Sequence, residues 1–449
     1  MIIESLLLRN FRRFAELAVD FHSELTVIVA RNGQGKTSVL DGITVALGTF
    51  VGAFDMGKAQ HIEKSDARLA RTNEFPEGEV QYPVIVEANF RGPDLHVRRE
   101  LSGPKNKTTI RDAHAITEYG SQLQAQVRSG SLDPLPLVSY YGAGRLWKVH
   151  KNMERKQVVS ASRTMGYEDC LSPASNFVQC QQWMAKATFA HLQEQVESDE
   201  TRAGVPMGDR LFAIQQAVNH VLAEEGWTDF RYSIAHEELT MSQPASGRLP
   251  VGMLSDGVRA MVSMVADIAF RCVRLNGYLG REAARQTQGI VLIDEVDIHL
   301  HPAWQQRVLR TLREAFPKLQ FIVTTHSPQV LTSVDASCIR KIEDDLDGEG
   351  SMLYARAVRV SQQTKGVASF DLLAEIMGVD PIPDVPEAHW VSNYHALIQQ
   401  NLHMEQEGQA LRLALERHFG VDHPVLRECD RLIRLQAYKA RMPRAEGQA

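Results

Sequence analysis

Asp294 and Glu295 stand side by side at the end of the apolar run Val291-Leu292-Ile293. A strand end has no packing use for two adjacent carboxylates, because paired like charges cost free energy unless something positive sits between them. A magnesium ion and a water attacking a phosphate would satisfy both groups. A second stretch offers a place for that phosphate. Ala30-Arg31-Asn32-Gly33-Gln34-Gly35-Lys36-Thr37-Ser38 follows the apolar run Leu25–Val29 and precedes Val39, Leu40, Ile43, Ala46 and Leu47 at helical spacing. Gly33 and Gly35 let backbone N–H groups turn inward, and the helix N-terminus adds partial positive charge. Lys36 reaches the terminal phosphates, and Thr37 offers its hydroxyl to the metal. Ala30 stands where the usual pattern has its first glycine, which alanine can replace when φ stays negative.

Two further polar turns carry the same chemistry. Leu254-Ser255-Asp256-Gly257-Val258-Arg259 precedes a long apolar helix. Ser255 or Asp256 reads equally as a helix cap or, with Gly257, as a hydroxyl and N–H pair for a γ-phosphate. His326 follows the apolar run Leu319–Thr325. One helix separates that run from the carboxylate strand, so the two strand ends are expected to be neighbours. His326 would then sense the γ-phosphate or orient the attacking water. Asn10-Phe11-Arg12-Arg13-Phe14 forms a basic turn near the N-terminus.

The remaining sequence must hold these turns together. The chain has 449 residues, a formal charge of −6 and 44% apolar content, an ordinary globular composition. No apolar run approaches the ~18–20 residues that span a bilayer, and Met1–Leu6 has no basic n-region and no cleavage site, so it does not read as a signal peptide; a membrane partner gets no support from these residues. Five scattered cysteines without a C-x-x-C pair point to a reducing, cytoplasmic setting. The mild acidity gives no global pull toward nucleic acid. Periodicity predicts a hairpin over 2–21, strands at 25–29, 83–91, 95–101 and 135–141, and helices across 173–226 and 256–273. Strands at 289–293 and 319–324 flank a helix over 303–315. Residues 52–80 read as an irregular insertion. After 366 the pattern is helical, with Pro381, Pro383 and Pro386 marking a linker.

The order Lys36, Ser255, Asp294-Glu295, His326 resembles that of ABC-type ATPases of the SMC/RecF class. The resemblance implies an α/β head, a mixed sheet with a phosphate-loop core plus an antiparallel β subdomain, carrying a helical insertion and a helical C-terminal region. The expected divisions are 1–141, 142–250, 251–365 and 366–449. ATP and Mg2+ are the implied cofactors. Asn32 to Ser38 would bind the nucleotide, Arg12 would approach its phosphates, Thr37 and Asp294 would hold magnesium, and Glu295 would polarise the attacking water. Ser255, Asp256 and Gly257 would act on the nucleotide of a second protomer, implying a homodimer or higher homo-oligomer. No glutamine stands at the expected magnesium-sensing loop. Gln81 and Gln122 are poorly placed, and Tyr140-Tyr141-Gly142-Ala143-Gly144-Arg145 occupies that topological position.

The stretch from Lys36 to Ser255 is too short for SMC coiled coils and shows no sustained heptads. The head more closely resembles defence and repair ATPases of the overcoming-lysogenization type. Those with their own nuclease continue into a Toprim domain through an E-G-x-x-D turn. Here Ile342 to Gly350 reads as a solvated acidic hairpin turn, with too few residues after it for a Toprim fold. The whole plan is similar to the PtuA ATPase subunits of Septu anti-phage systems, which implies a separately encoded, PtuB-like HNH nuclease. A RecF-like DNA-repair clamp is the alternative, and a self-sufficient nuclease is disfavoured. His389, His395, His418 and His423 lack any ligand spacing and read as packing or surface residues. The basic stretch Arg145 to Arg163, with Trp147, suits DNA, the nucleotide or simply solvent. The helix at 425–441 either docks a partner or closes its own domain.

Overall fold

A computed structural model describes residues 1–70, 77–146, 162–173, 177–197, 204–346 and 352–441. The chain runs through β1 (Ile2–Phe11), β2 (Phe14–Asp20), β3 (Leu25–Val29), α1 (Lys36–Val51), β4 (Leu69–Ala70), β5 (Glu79–Val80), β6 (Val84–Arg91), β7 (Leu95–Leu101), α2 (His114–Arg128) and β8 (Leu137–Tyr141). Next come α3 (Phe177–Glu197), α4 (Met207–Leu222), β9 (Thr228–Ser233), β10 (Glu238–Gln243), β11 (Gly247–Pro250), α5 (Asp256–Asn276), α6 (Ala283–Gln286) and β12 (Gly289–Ile293). The remainder is α7 (Pro302–Gln305), α8 (Val308–Ala315), β13 (Leu319–Thr325), α9 (Pro328–Leu331), β14 (Ile339–Leu346), β15 (Met352–Arg359), α10 (Ser369–Glu375), α11 (Pro386–Gln399), α12 (Gln406–Phe419) and α13 (Pro424–Arg441).

Two sheets carry the head. The antiparallel one has the order β2-β1-β6-β7, and the six-stranded one the order β15-β14-β3-β13-β12-β8. In the latter only β15 runs antiparallel to its neighbour. Every residue of β3, β8, β12 and β13 is buried. That explains their unbroken apolar runs, because a parallel sheet is covered on both faces. Helix α1 follows β3 and is buried over nearly its whole length, with β1, β6, β7 and β13 packed around it. The head is thus an α/β unit in which a largely parallel six-stranded sheet stands beside an antiparallel four-stranded one.

The hairpin, the β3–α1 step, the meander strands and the buried helix α5 all appear where periodicity puts them. Helix α2 and the β9–β11 sheet form where no element is predicted, and two of the predicted segments differ. The expected helix over 303–315 is two pieces, α7 and α8, separated at Gln306-Arg307. The Gln305 side chain turns back to the carbonyls of Leu300 (2.9 Å) and Asp297 (3.4 Å), so the first turn serves the loop after Glu295. The insertion over 52–80 contains the β4–β5 pair and a 3-10 turn, Lys64–Asp66, fixed by a reciprocal Glu63–Asp66 cap. This segment bonds to the basic turn: Arg68 N–H donates to the Asn10 carbonyl at 3.0 Å.

Contacts divide the chain into Met1–Met377 and Gly378–Ala449. The second unit comprises α11, α12 and α13 around Tyr394, Ile398, Leu415, Leu426 and Cys429. Its histidines pack: His418 meets the rings of Trp390 and Phe419, and His423 stacks on Phe419. No metal-ligating cluster occurs among the described residues. All five cysteines are buried free thiols. No helix among the described residues is long and apolar enough to cross a membrane.

Candidate active site

Parallel pairing brings the turns together. Strand β13 lies between β3 and β12, and β12 lies beside β8. The C-terminal ends of these four strands therefore share one sheet edge, where open α/β sheets bind ligands. The glycine loop at 30–38, expected to bind phosphate, leaves β3, His326 follows β13, Asp294-Glu295 follow β12, and Gly142 follows β8.

The loop has the conformation its residue types require. Gly33 and Gly35 both have positive φ, 75° and 89°. A Cβ at Gly35 would come within 2.4 Å of the Phe14 ring, so the basic turn packs directly on the loop. Helix α1 begins at Lys36 with no side-chain cap and no acid in its first turn, the arrangement an anion needs to reach its N–H groups. Lys36 is buried, and its Nζ donates to the Ala30 carbonyl at 3.1 Å. Desolvation lowers its pKa, opposed by Asp294, Glu295 and Asp297. Asn32 and Gly33 are exposed, and Ser38 is buried.

The carboxylates meet this loop. Thr37 Oγ1 donates to Asp294 Oδ2 at 2.8 Å, and Thr324 Oγ1 donates to Asp294 Oδ1 at 2.6 Å. Glu295 N–H donates to Thr324 Oγ1 at 2.8 Å, which holds Glu295 at a positive φ of 50°. Such backbone strain in a non-glycine residue persists only where surrounding bonds enforce it. Asp297 accepts from Thr325 Oγ1 at 2.5 Å. A carboxylate beside a threonine hydroxyl is an oxygen donor set suited to magnesium.

His326 is exposed and faces Lys36 and the three carboxylates electrostatically. Partial desolvation, then Lys36, lowers its pKa below the ordinary 6.5. The folded chain thus holds this proton less well than the unfolded chain. The stability involved is complete above the unfolded value and is lost as pH falls through the lower folded value. In His326→Gln the fall in unfolding midpoint from about pH 7 to about pH 5 should be shallower than in the wild type. Identical slopes would show that the imidazole is not shifted.

Ser255 takes the N-cap position of α5, yet its side chain makes no capping bond and is exposed. Asp256 is exposed and pairs with Arg259 at 2.6 Å. Gly257 is buried, and a Cβ there would approach the His299 carbonyl to 2.4 Å, so this turn rests on the loop after Glu295. Among the described residues no bond joins Ser255 to the phosphate loop of its own chain.

Arg12 is half-buried at a positive φ of 52° and is held by Asp41 and Asp66, the latter at 2.9 Å. Sequence reasoning missed both acids, although Asp41 lies one helical turn beyond Thr37. It also missed Thr324, which no motif marks. Asp344 belongs to the expected solvated turn, but it is partly buried and receives Arg13 Nη2 on both oxygens at 2.8 Å and Gln34 Nε2 at 3.2 Å. Gln122 is exposed on α2, and Gln81 donates to Glu79. Tyr141 instead lies beside the carboxylates, its carbonyl accepting from Asp294 N–H at 2.8 Å. Residues 147–161 of the basic stretch lie outside the described residues, as do 347–351 of the acidic turn. Arg163 is a packing residue, donating to the carbonyls of Leu275, Ser131 and Asp133.

The chain is similar to several known proteins. An AAA domain model matches residues 5–224, and a second AAA domain model matches residues 215–332. The "Retron Vc95 probable ATPase" of Vibrio cholerae is 26% identical, covering 77% of this chain and 74% of its own. The "Retron Ec83 probable ATPase" of Escherichia coli is 23% identical over 94% of this chain and 84% of its own. The Septu protein PtuA of Bacillus mycoides is 23% identical over 91% of this chain, which spans 49% of that relative's length.

Proposed function

We propose that this chain, an ATPase of the SMC/RecF class related to Septu PtuA and retron ATPases, closes around ATP with a second copy and uses the nucleotide cycle to control a separately encoded HNH nuclease in anti-phage defence. The Thr37–Asp294–Thr324 bridge carries the nucleotide part of this reading, because it ties the phosphate loop to the carboxylate strand through oxygen donors. Magnesium, held by Thr37 and Asp294, would supply positive charge to the phosphate oxygens. Lys36 and the uncapped amides of α1 bind the phosphates. Glu295 accepts the proton of the attacking water, and His326 orients that water from the neighbouring strand end. The exposed, uncapped Ser255 supports closure in trans, since its hydroxyl remains available to a nucleotide on another protomer. The nuclease partner rests on the likeness to PtuA.

The test is mass in solution, with and without Mg-ATP, for the hydrolysis-blocked chain alone and co-expressed with a small HNH protein from the same locus. An ATP-dependent shift to a dimer or larger assembly that retains the HNH protein is expected. A chain that stays monomeric with ATP bound would overturn closure. ATP-dependent binding to DNA ends without any HNH protein would favour the repair-clamp reading.

A further inference from the structure

Tyr140 and Tyr141 end β8, and strand alternation sends consecutive side chains to opposite faces. Tyr140 faces Asp41 on the phosphate-loop helix α1. Tyr141 points to the other face, where its hydroxyl donates to Asp267 Oδ2 on α5 at 2.7 Å. Arg271 Nε donates to the same oxygen at 2.8 Å, and Arg271 Nη1 donates to the carbonyls of Gly166 (2.8 Å) and Glu168 (3.0 Å). All three side chains are buried: Tyr141 is 1% exposed, Asp267 1% and Arg271 3%.

This buried ionic group is not an economical way to join a helix to a sheet. Apolar residues of similar volume often do so as well or better. Here Asp267 Oδ1 is also buried with no hydrogen-bond partner among the described residues. Leaving such an acceptor unsatisfied costs stability. The location of the group suggests what that cost accomplishes. The Tyr141 carbonyl accepts from Asp294 N–H, so one residue holds the carboxylate strand with its backbone and α5 with its side chain. Helix α5 is continuous over 21 residues, with Ser255 at its N-cap. Asp267 lies roughly 18 Å along the axis from Ser255 at 1.5 Å per residue. A rotation of α5 about this anchor moves the Ser255 turn relative to Glu295.

We infer that Tyr141, acting through Asp267 and Arg271, is a positioning residue that sets the Ser255 end of α5 against the Asp294–Glu295 strand, and so governs the rate of ATP hydrolysis rather than ATP affinity. The inference rests on the ATPase reading of the site. Lys36 and Thr37, which bind the phosphates, lie on α1 and, among the described residues, bond to the side chains of none of these three. Thr37 reaches Tyr141 only through Asp294, whose bond to the Tyr141 carbonyl does not involve the hydroxyl, so loss of the hydroxyl is expected to change rate more than affinity.

The test is Tyr141→Phe, which removes one hydroxyl, keeps the ring and leaves Asp267 paired with Arg271. Steady-state phosphate release and ATP binding are measured well below the variant's own unfolding midpoint, so that loss of fold does not enter. The expected result is a kcat lower by about tenfold, with KM and the ATP Kd within about twofold of wild type. A purely structural hydroxyl would lower the unfolding midpoint and leave kcat unchanged, which overturns the proposal, as does a rise in KM larger than the fall in kcat. If the wild-type chain itself releases no phosphate from ATP, the ATPase reading fails. If it does and Tyr141→Phe matches its kcat, only the relay fails.

Discussion

Glu295→Gln is expected to bind ATP within about twofold of the wild-type affinity and to release phosphate about a hundredfold to ten-thousandfold more slowly, the usual contribution of a positioned general base. Glutamine has nearly the same shape, and the backbone bond from residue 295 to Thr324 Oγ1 does not depend on the side chain. The strained backbone at this residue is therefore preserved, as are the Thr37–Asp294 and Thr324–Asp294 bonds. Lys36 and the amides of α1 are untouched, so phosphate binding remains. What disappears is the only function an amide cannot supply, acceptance of the water proton. Equilibrium dialysis with ATP and single-turnover phosphate release separate the two quantities. Unchanged turnover would remove Glu295 from the chemistry. Lost binding would mean that its charge holds the nucleotide site together.

Arg271→Met should lower the stability of the chain by about 3–5 kcal/mol, the range for breaking one side of a buried ion pair. Arg271 and Asp267 are both almost wholly inaccessible. Removing the guanidinium strands the Asp267 carboxylate beside Tyr141 and leaves the Gly166 and Glu168 carbonyls without their donor. Methionine fills similar volume, so the loss is electrostatic rather than a cavity. Replacing both partners, Asp267→Leu with Arg271→Met, should recover much of the loss, because no unpaired charge then remains. Denaturant unfolding of the three variants tests this. A single-variant loss below about 1 kcal/mol would mean that water reaches the pair.

Much of the head is legible in the chain. The runs at 25–29, 137–141, 289–293 and 319–325 are strands buried on both faces, and a uniformly apolar run ended by polar turns marks such strands without any partner being known. Lys36, Asp294 and His326 are legible because each sits where a strand stops, and parallel connections bring successive strand ends to one edge. The break between α7 and α8 was not legible, since apolar spacing continues across it. Gln305 ends the first turn by bonding to a loop that is near only after folding. Asp344 was misread for the same reason: acidity predicts solvation, and only the β14–β15 hairpin brings it to Arg13 and Gln34.

The amino-acid sequence by itself determined which groups stand at the strand ends: a glycine loop, a lysine and threonine at a helix start, two carboxylates after a buried strand, and a histidine one crossover later. Those are local facts, set by backbone conformation and residue type. Tertiary structure alone decided which groups control them. Asp41 and Asp66 hold Arg12, Thr324 holds both Asp294 and Glu295, and Tyr141 joins Asp267 to the carboxylate strand. Each of these bonds links residues that are distant in the chain, and a hydrogen bond depends on distance and angle in space, which residue spacing does not encode.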